Sequence, residues 1–385
     1  MKIGIITGEF PPMPGGVGAF SRILAETIQA HGHEVHILSR HGTDSDTLPI
    51  STISQWSLST VAPIQEWVNK HNFDVINLQF QTAAFDMSAT VHFLPQMIHT
   101  PFVTTFHDLR FPYLFPKAGR LRTWIVNHLA RQSDGVIATN HEDGANLAHL
   151  PHNTVIPIGS NIMTNLPENY EREIWRDKVG ADADTFLMGH FGFIKENKGI
   201  DYLLDAMNKL RNDGINLRLV FIGGRSNTVD DGSDDPYLKK LDNRIKQLGL
   251  ENSIHWTGFV EETEVAQYLS AVDLVTLPFL DGASYRRGSL MAAIQYGCAI
   301  LTTHPSVKVL TFKHEINMWL VPAYSATQIE QGILHLLAHD YHLTDLREGA
   351  SQLRQHFDWD MIARETVTFF ESVLDNHKAA KGTKK

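Results

Sequence analysis

KIGIITGEFPPMPGGVGAFSRILAETIQAHGHEVHIL, residues 2–38, decides the fold. Residues 2–7, KIGIIT, form a short apolar run rich in β-branched side chains, as a buried strand requires. Glycines and prolines follow. AFSRILAETIQAHG (19–32) then places Ile23, Ala25 and Ile28 on one face of a helix, with Gly32 as a natural stop. EVHIL (34–38) is a second strand candidate. A strand, a helix and a strand in immediate succession make a parallel crossover. Further strand candidates at 75–80, 102–106, 135–139 and 154–158 continue the alternation. The first part of the chain therefore reads as a doubly wound, mostly parallel α/β sheet.

After a polar stretch at 165–184, expected to be a linker and a surface helix, the pattern restarts. Strand candidates lie at 186–193, 217–224, 253–259, 273–279 and 299–303. Helical stretches separate them at 201–213, around PYLKKLDNRIKQLG, at ETEVAQYLSAV and near GSLMAAIQYG. Two units of one build imply ligand binding in the crevice at the carboxyl ends of the strands. At 385 residues the chain has ample length for two cores.

The bulk numbers exclude some functions. The hydrophobic fraction of 43% and charged fraction of 20% are those of a globular protein. A formal charge of −10 argues against a nucleic-acid partner, although partial protonation of the 21 histidines would reduce it. The single cysteine, Cys298, rules out an intramolecular disulfide and suits a reducing compartment. MKIGIITGEF does not read as a signal peptide, and no apolar run is long enough to span a membrane. A cytoplasmic location is expected, with membrane contact at most peripheral at the inner face. FPYLFPKAGRLRTWIVNHLARQ (111–132) carries aromatics with Lys117, Arg120, Arg122 and Arg131. It can rest on an anionic membrane or pack on its own domain. The acidic run VDDGSDD (229–235) lacks the spaced ligands of a calcium loop, and no metal is expected.

Four stretches carry candidate chemistry. In GEFPPMPGGVGAF (8–20), Gly15, Gly16 and Gly18 precede a helix, where glycine lets backbone amides approach a charged ligand. Pro11, Pro12 and Pro14 are expected to hold this loop extended. FVTTFHDL (102–109) brings His107 to a strand's carboxyl end, where an imidazole can donate to a ligand hydroxyl or stabilise developing charge. Asn77, Gln79 and Gln81 end another strand and can bind acceptor hydroxyls. In GHFGFIKENKGIDYLLDAM (189–207), Gly192 opens a loop and Lys198 and Gly199 close it before a helix. PFLDGASYRRGSLMAAIQYGCAILTT (278–303) offers Asp281, Arg286, Arg287 and Ser289. Two arginines at a helix N-terminus make an anion site, unless they are surface residues paired with nearby acids.

PPMPGGVGAFSRILAETIQAHGHEVHIL (11–38) resembles the opening of glycosyltransferase family 4 enzymes, and the likeness runs over nearly the whole chain. The resemblance implies a GT-B fold, two facing Rossmann-like domains, and retaining transfer of a sugar from a nucleotide donor to an acceptor hydroxyl. It implies an acceptor-side domain at 1–165, a donor domain at 166–357, a last helix (358–378) returning to the first domain, and a disordered tail at 379–385. Gly15 and Gly16 would contact the donor diphosphate, His107 the transferred sugar, and Lys198 the leaving diphosphate. Asp281 would bond the sugar, and Arg286, Arg287 and Ser289 would join Gly192 around the donor. The donor would be a UDP- or GDP-hexose, with no cofactor. The acceptor would be a glycan, a lipid-linked group or a small molecule.

This sequence departs from the family at three places. The family's arginine position is Phe193, and the positions of its glutamate pair are Ser284 and Ala292. One of the paired arginines would replace the missing cation. The turn, Arg-Arg-Gly-Ser and small-residue helix is similar to a subgroup of family 4-like bacterial proteins. Two rival readings follow from these losses: a chain that only binds a nucleotide sugar, and another enzyme of the same fold such as a sugar-nucleotide epimerase.

Overall fold

The computed structural model describes residues 1–13, 15–109, 120–162, 165–225 and 235–382. Pro14, Lys117 with the rest of 110–119, the acidic run at 229–234 and residues 383–385 lie outside the described residues, as do the side chains of Arg120 and Arg122. The chain divides into two units, Met1–Asn161 with Phe357–Lys385, and Ile162–His356.

The first unit is built on seven strands: β1 (Lys2–Thr7), β2 (Glu34–Arg40), β3 (Ile50–Ile53), β4 (Val75–Phe80), β5 (Phe102–Phe106), β6 (Gly135–Ala138) and β7 (Asn153–Val155). They run in the order β3-β2-β1-β4-β5-β6-β7, every pair parallel. The second unit has six: β8 (Phe186–Phe191), β9 (Leu217–Ile222), β10 (Ile254–Trp256), β11 (Leu274–Leu277), β12 (Ile300–Thr303) and β13 (Trp319–Val321). Their order is β10-β9-β8-β11-β12-β13, again all parallel. In each sheet the winding reverses beside its first strand, between β1 and β4 and between β8 and β11. The loops leaving those strands at their carboxyl ends diverge there and leave a crevice.

Parallel sheets are covered on both faces, so their strands are apolar throughout. One face of the first sheet packs Ile6, Leu78, Phe80 and Phe106 against Trp67 and Leu129. The other packs Ile3, Ile5 and Val103 against Leu24 and Ile28 of helix Gly16–Ala30 and against Ile362 and Phe370 of the last helix, Trp359–Gly382. Trp359 anchors that helix by donating its indole N–H to Ser160 O at 2.8 Å.

Several expectations need correction. The first helix begins at Gly16, so Gly16 and Gly18 lie in its first turn. The proline loop is turned rather than extended: Met13 N donates to Phe10 O at 3.1 Å, with a cis Pro11–Pro12 bond. Edge strands β3 and β13, four and three residues long, were not read from the sequence. The helix in the polar stretch, Arg172–Asp177, does lie at the surface, with Glu173, Ile174 and Asp177 exposed, but it buries one side. Trp175 and Arg176 are 7% and 4% exposed, and the Arg176 guanidinium bonds Asp273 and the carbonyls of Ala271, Asp182 and Thr185. A buried charge is tolerated when so fully bonded. The last helix also runs on to Gly382, into the stretch expected to be a tail, because Lys and Ala there favour helix.

Candidate active site

In the second unit the two loops beside the β8–β11 reversal bring their cations together. Phe279 is wholly buried just after β11. Lys198 Nζ lies 5.0 Å from the centre of its ring and the Arg287 guanidinium carbon 4.7 Å, a geometry in which a ring attracts a cation. Arg287 is also ion-paired with Asp281, their side chains only 15% and 26% exposed. Burial, and then repulsion by Arg287, lowers the Lys198 pKa to about 8, with Asp281 opposing the shift. His190, on β8, donates Nδ1–H to Thr276 O at 2.8 Å; burial and then the Lys198 charge lower its pKa to about 3, so it adds no further charge.

The backbone explains the local sequence. Gly199 has φ +70° as the N-cap of helix Ile200–Asn212, and a Cβ there would stand 2.0 Å from Pro278 O. Only glycine lets the Lys198 loop lie so close to the Phe279 loop. Arg287 is the N-cap residue of helix Gly288–Gln295, and its side chain does not cap the helix's first amides. Ser289 is buried in that first turn, and its Oγ has no hydrogen-bond partner among the described residues. Beside these groups is a cavity of about 340 Å³, lined by Gly192, Phe193, Gly223, Gly224, Phe259 and Glu261 among others. Phe193 and Phe259 are 42% and 79% exposed.

The structure therefore joins Lys198, Asp281 and Arg287, with Gly192 and Ser289 near them: a Cβ on Gly192 would lie 3.6 Å from that of Ser289. Arg286 is half-buried in the same turn. Arg287 does pair with a nearby acid, but as a mostly buried residue rather than a surface one. Phe279 and the aromatic cavity rim were missed in the sequence, because aromatics in an α/β chain usually serve the core.

In the first unit, the N-terminus of helix Gly16–Ala30 is already filled. Glu9 Oε1 accepts from Val17 N at 2.9 Å and Gly18 N at 3.2 Å. A negative side chain is the natural ligand of these unsatisfied, positively polarised amides. A Cβ on Gly15 would lie 2.2 Å from that carboxylate, so a side chain there would push Glu9 away from the helix end. Gly16 faces open space: no described residue comes within 4 Å of a Cβ placed on it. Glu9 went unnoticed in the sequence because its distance to Val17 depends on how the proline turn folds back.

His107 follows β5 and packs edge-on against Phe20, ring centres 4.8 Å apart. Its Nε2 is 2.8 Å from Gln79 Oε1. Burial lowers its pKa to about 3. Asn77 and Gln79 correct the expectation of acceptor contacts: both are 0% exposed, because β4 is buried along its whole length. Gln79 bonds Asn77, and Asn77 bonds Val103 O and Thr105 Oγ1, so neither amide reaches a ligand directly. Gln81, beyond the strand, is half-buried.

The chain is similar to known proteins over nearly its whole length. Residues 14–162 match the model described as Glycosyltransferase Family 4, and residues 171–353 that of Glycosyl transferases group 1. An uncharacterized glycosyltransferase of Methanocaldococcus jannaschii is 22% identical over 97% of this chain and 99% of its own. The phosphatidyl-myo-inositol mannosyltransferase of Mycobacterium leprae is 23% identical over 97% of each. The structure of Anabaena HepE in complex with UDP and glucose superposes with a TM-score of 0.75 at 19% identity, over 97% of this chain and 100% of that one. Two family models that together match most of the chain, relatives that match along nearly its full length, and two all-parallel sheets lead to one conclusion: the chain is a glycosyltransferase of family 4, with the GT-B fold.

Proposed function

We propose that this enzyme moves a hexose from a nucleoside diphosphate donor to an acceptor hydroxyl, with retention at the anomeric carbon. The observation that carries the reading is the pairing of Lys198 and Arg287 on Phe279, at the N-terminus of helix Gly288–Gln295. As the bond from the anomeric carbon to the diphosphate breaks, negative charge grows on the leaving oxygens. Two cations and the helix amides, fixed before the reaction, stabilise that charge. Arg287 thus replaces the cation missing at Phe193. The acceptor hydroxyl attacks from the face the diphosphate leaves, and the diphosphate takes the hydroxyl proton. The adjoining cavity, of a size suited to a nucleoside, holds the base against Phe193 or Phe259, with Glu261 toward the ribose hydroxyls.

A thermal-shift screen of UDP, GDP, ADP and TDP with their hexose conjugates tests this. A ligand at about 100 times its Kd adds roughly 2.7 kcal/mol of stability, so one base should raise Tm clearly. No shift with any of them at about 1 mM, a ceiling that still reveals weak binding, would overturn the proposal.

A lipid-linked acceptor at a membrane surface is favoured by one feature of the first unit. Helix Arg120–Gln132 buries Val126, Leu129 and Ala130 yet leaves Leu121 and Trp124 61% and 51% exposed, with Arg131 also exposed. The packing on its own domain and the apolar outward face coexist. No helix among the described residues is long and apolar enough to cross a membrane. Anionic phospholipid vesicles should sediment the wild type and release a Leu121→Ser/Trp124→Ser variant; equal sedimentation of both would refute the surface contact.

A further inference from the structure

The buried polar row beneath His107 has a direction. Asn77 Nδ2 lies 3.2 Å from Val103 O and 3.0 Å from Thr105 Oγ1. A backbone carbonyl only accepts, so the nitrogen of the Asn77 amide must face β5 and its Oδ1 must face Gln79. Gln79 therefore turns its NH₂ to Asn77, which leaves Oε1 toward His107. That oxygen also only accepts, so the bond at 2.8 Å requires the imidazole proton on Nε2. Reversing either amide would set two acceptors or two donors against each other in a place with no exposed surface.

The ring itself is neutral, its pKa lowered by burial alone. Around it stand Phe20 from helix Gly16–Ala30, Gln79 from β4 and, after β6, Thr139, whose hydroxyl reaches the His107 carbonyl at 3.5 Å. Asp108 is its chain neighbour. Asp143, in helix His141–Leu147 beyond β6, is bonded to Asn140 and to the Leu109 amide. A neutral imidazole with its proton on Nε2 carries a lone pair on Nδ1, which has no hydrogen-bond partner among the described residues.

We propose that Asn77 and Gln79 are positioning residues that hold His107 as the Nε2–H tautomer, so that Nδ1 accepts a hydrogen bond from a substrate hydroxyl. This reverses the direction expected from the sequence, in which the ring donates. A group that only accepts, such as a phosphate oxygen or a carboxylate, is rejected at that place, and a sugar hydroxyl is selected. The hydroxyl rests on the transfer reaction proposed above; the tautomer does not.

The two are tested separately. Histidine-selective ¹⁵N labelling of the full chain, with His107→Ala to identify the signal, should show the Nε2–H pattern unchanged between about pH 5 and 8. An Nδ1–H pattern, or a ring that titrates at its ordinary value, would overturn the proposal without touching the transfer reaction. In Gln79→Glu a carboxylate beside Nε2–H should raise the imidazole pKa and put a proton on Nδ1 at neutral pH. With the nucleotide sugar found in the screen, kcat/KM relative to wild type at the same pH should fall at least tenfold at neutral pH and recover as pH rises through that new pKa. Gln79→Leu should lose a similar factor with no recovery. A flat profile in Gln79→Glu, or recovery in Gln79→Leu, would overturn the positioning role. Should Gln79→Glu fail to fold, the wild-type tautomer signal and Gln79→Leu decide.

Discussion

Arg287→Ala is expected to lower kcat/KM for the nucleotide sugar by about 10²–10³-fold, or roughly 3–4 kcal/mol of transition-state stabilisation. The loss should fall mainly on kcat, because the charge that Arg287 faces is largest as the diphosphate departs. Its guanidinium is placed for this by the Asp281 ion pair and by the Phe279 ring. Arg287→Lys should recover only part of the rate, since an ammonium keeps the charge and loses the fork that grips two oxygens. Asp281→Asn should also slow turnover, by loosening the guanidinium. Steady-state kinetics with the donor found by thermal shift decide the matter, with melting curves to exclude misfolding. Near-normal kinetics in Arg287→Ala would remove the replacement-cation account.

Lys198→Ala should cost still more, about 10³-fold in turnover, and wild-type Lys198 should impress its own titration on diphosphate binding. In the free protein its pKa is lowered to about 8 by burial and by Arg287. A bound diphosphate favours the charged amine and pulls the pKa back up, so a proton is taken up on binding. Affinity for the nucleoside diphosphate is then full below about 8 and falls up to tenfold per pH unit above it. The ligand's own phosphate titrates near pH ~6 and does not interfere. For the unliganded chain the sign is opposite. Between the lowered and the ordinary lysine pKa the unfolded state binds the extra proton, so stability contributed by this group rises with pH. Lys198→Arg should abolish the affinity limb, because arginine keeps its charge. Calorimetric titration with UDP or GDP across this range, in buffers of different ionisation enthalpy, reads both the affinity and the proton count. A wild-type affinity that stays flat through the limb would contradict the assignment.

The long central strands and the crossover helices were legible because burial on both faces demands an unbroken apolar run. β1, β4 and β5 match their sequence-read spans end to end. The short edge strands were less legible, since so few residues carry no period: β3 and β13 were not read, and β7 and β10 were read with longer bounds. Lys198–Gly199 was legible as a loop before a helix, but the need for Gly199 appears only when Pro278 O is seen against it. Asn77 and Gln79 could not be assigned inward or outward from alternation, because both faces of β4 are covered.

The amino-acid sequence by itself determined two parallel α/β units, the loops beside their winding reversals and the family to which they belong. These follow from periodicity and from residues adjacent along the chain. Tertiary structure alone decided which charges meet and which way each polar group points. Lys198 and Arg287 share the Phe279 ring although they lie far apart in the chain, Glu9 fills a helix end that looked ready for phosphate, and the Val103 carbonyl sets the proton on His107. The physical reason is that electrostatics and hydrogen-bond direction act through space over a few ångströms, and linear order does not encode which distant groups the fold brings within that range.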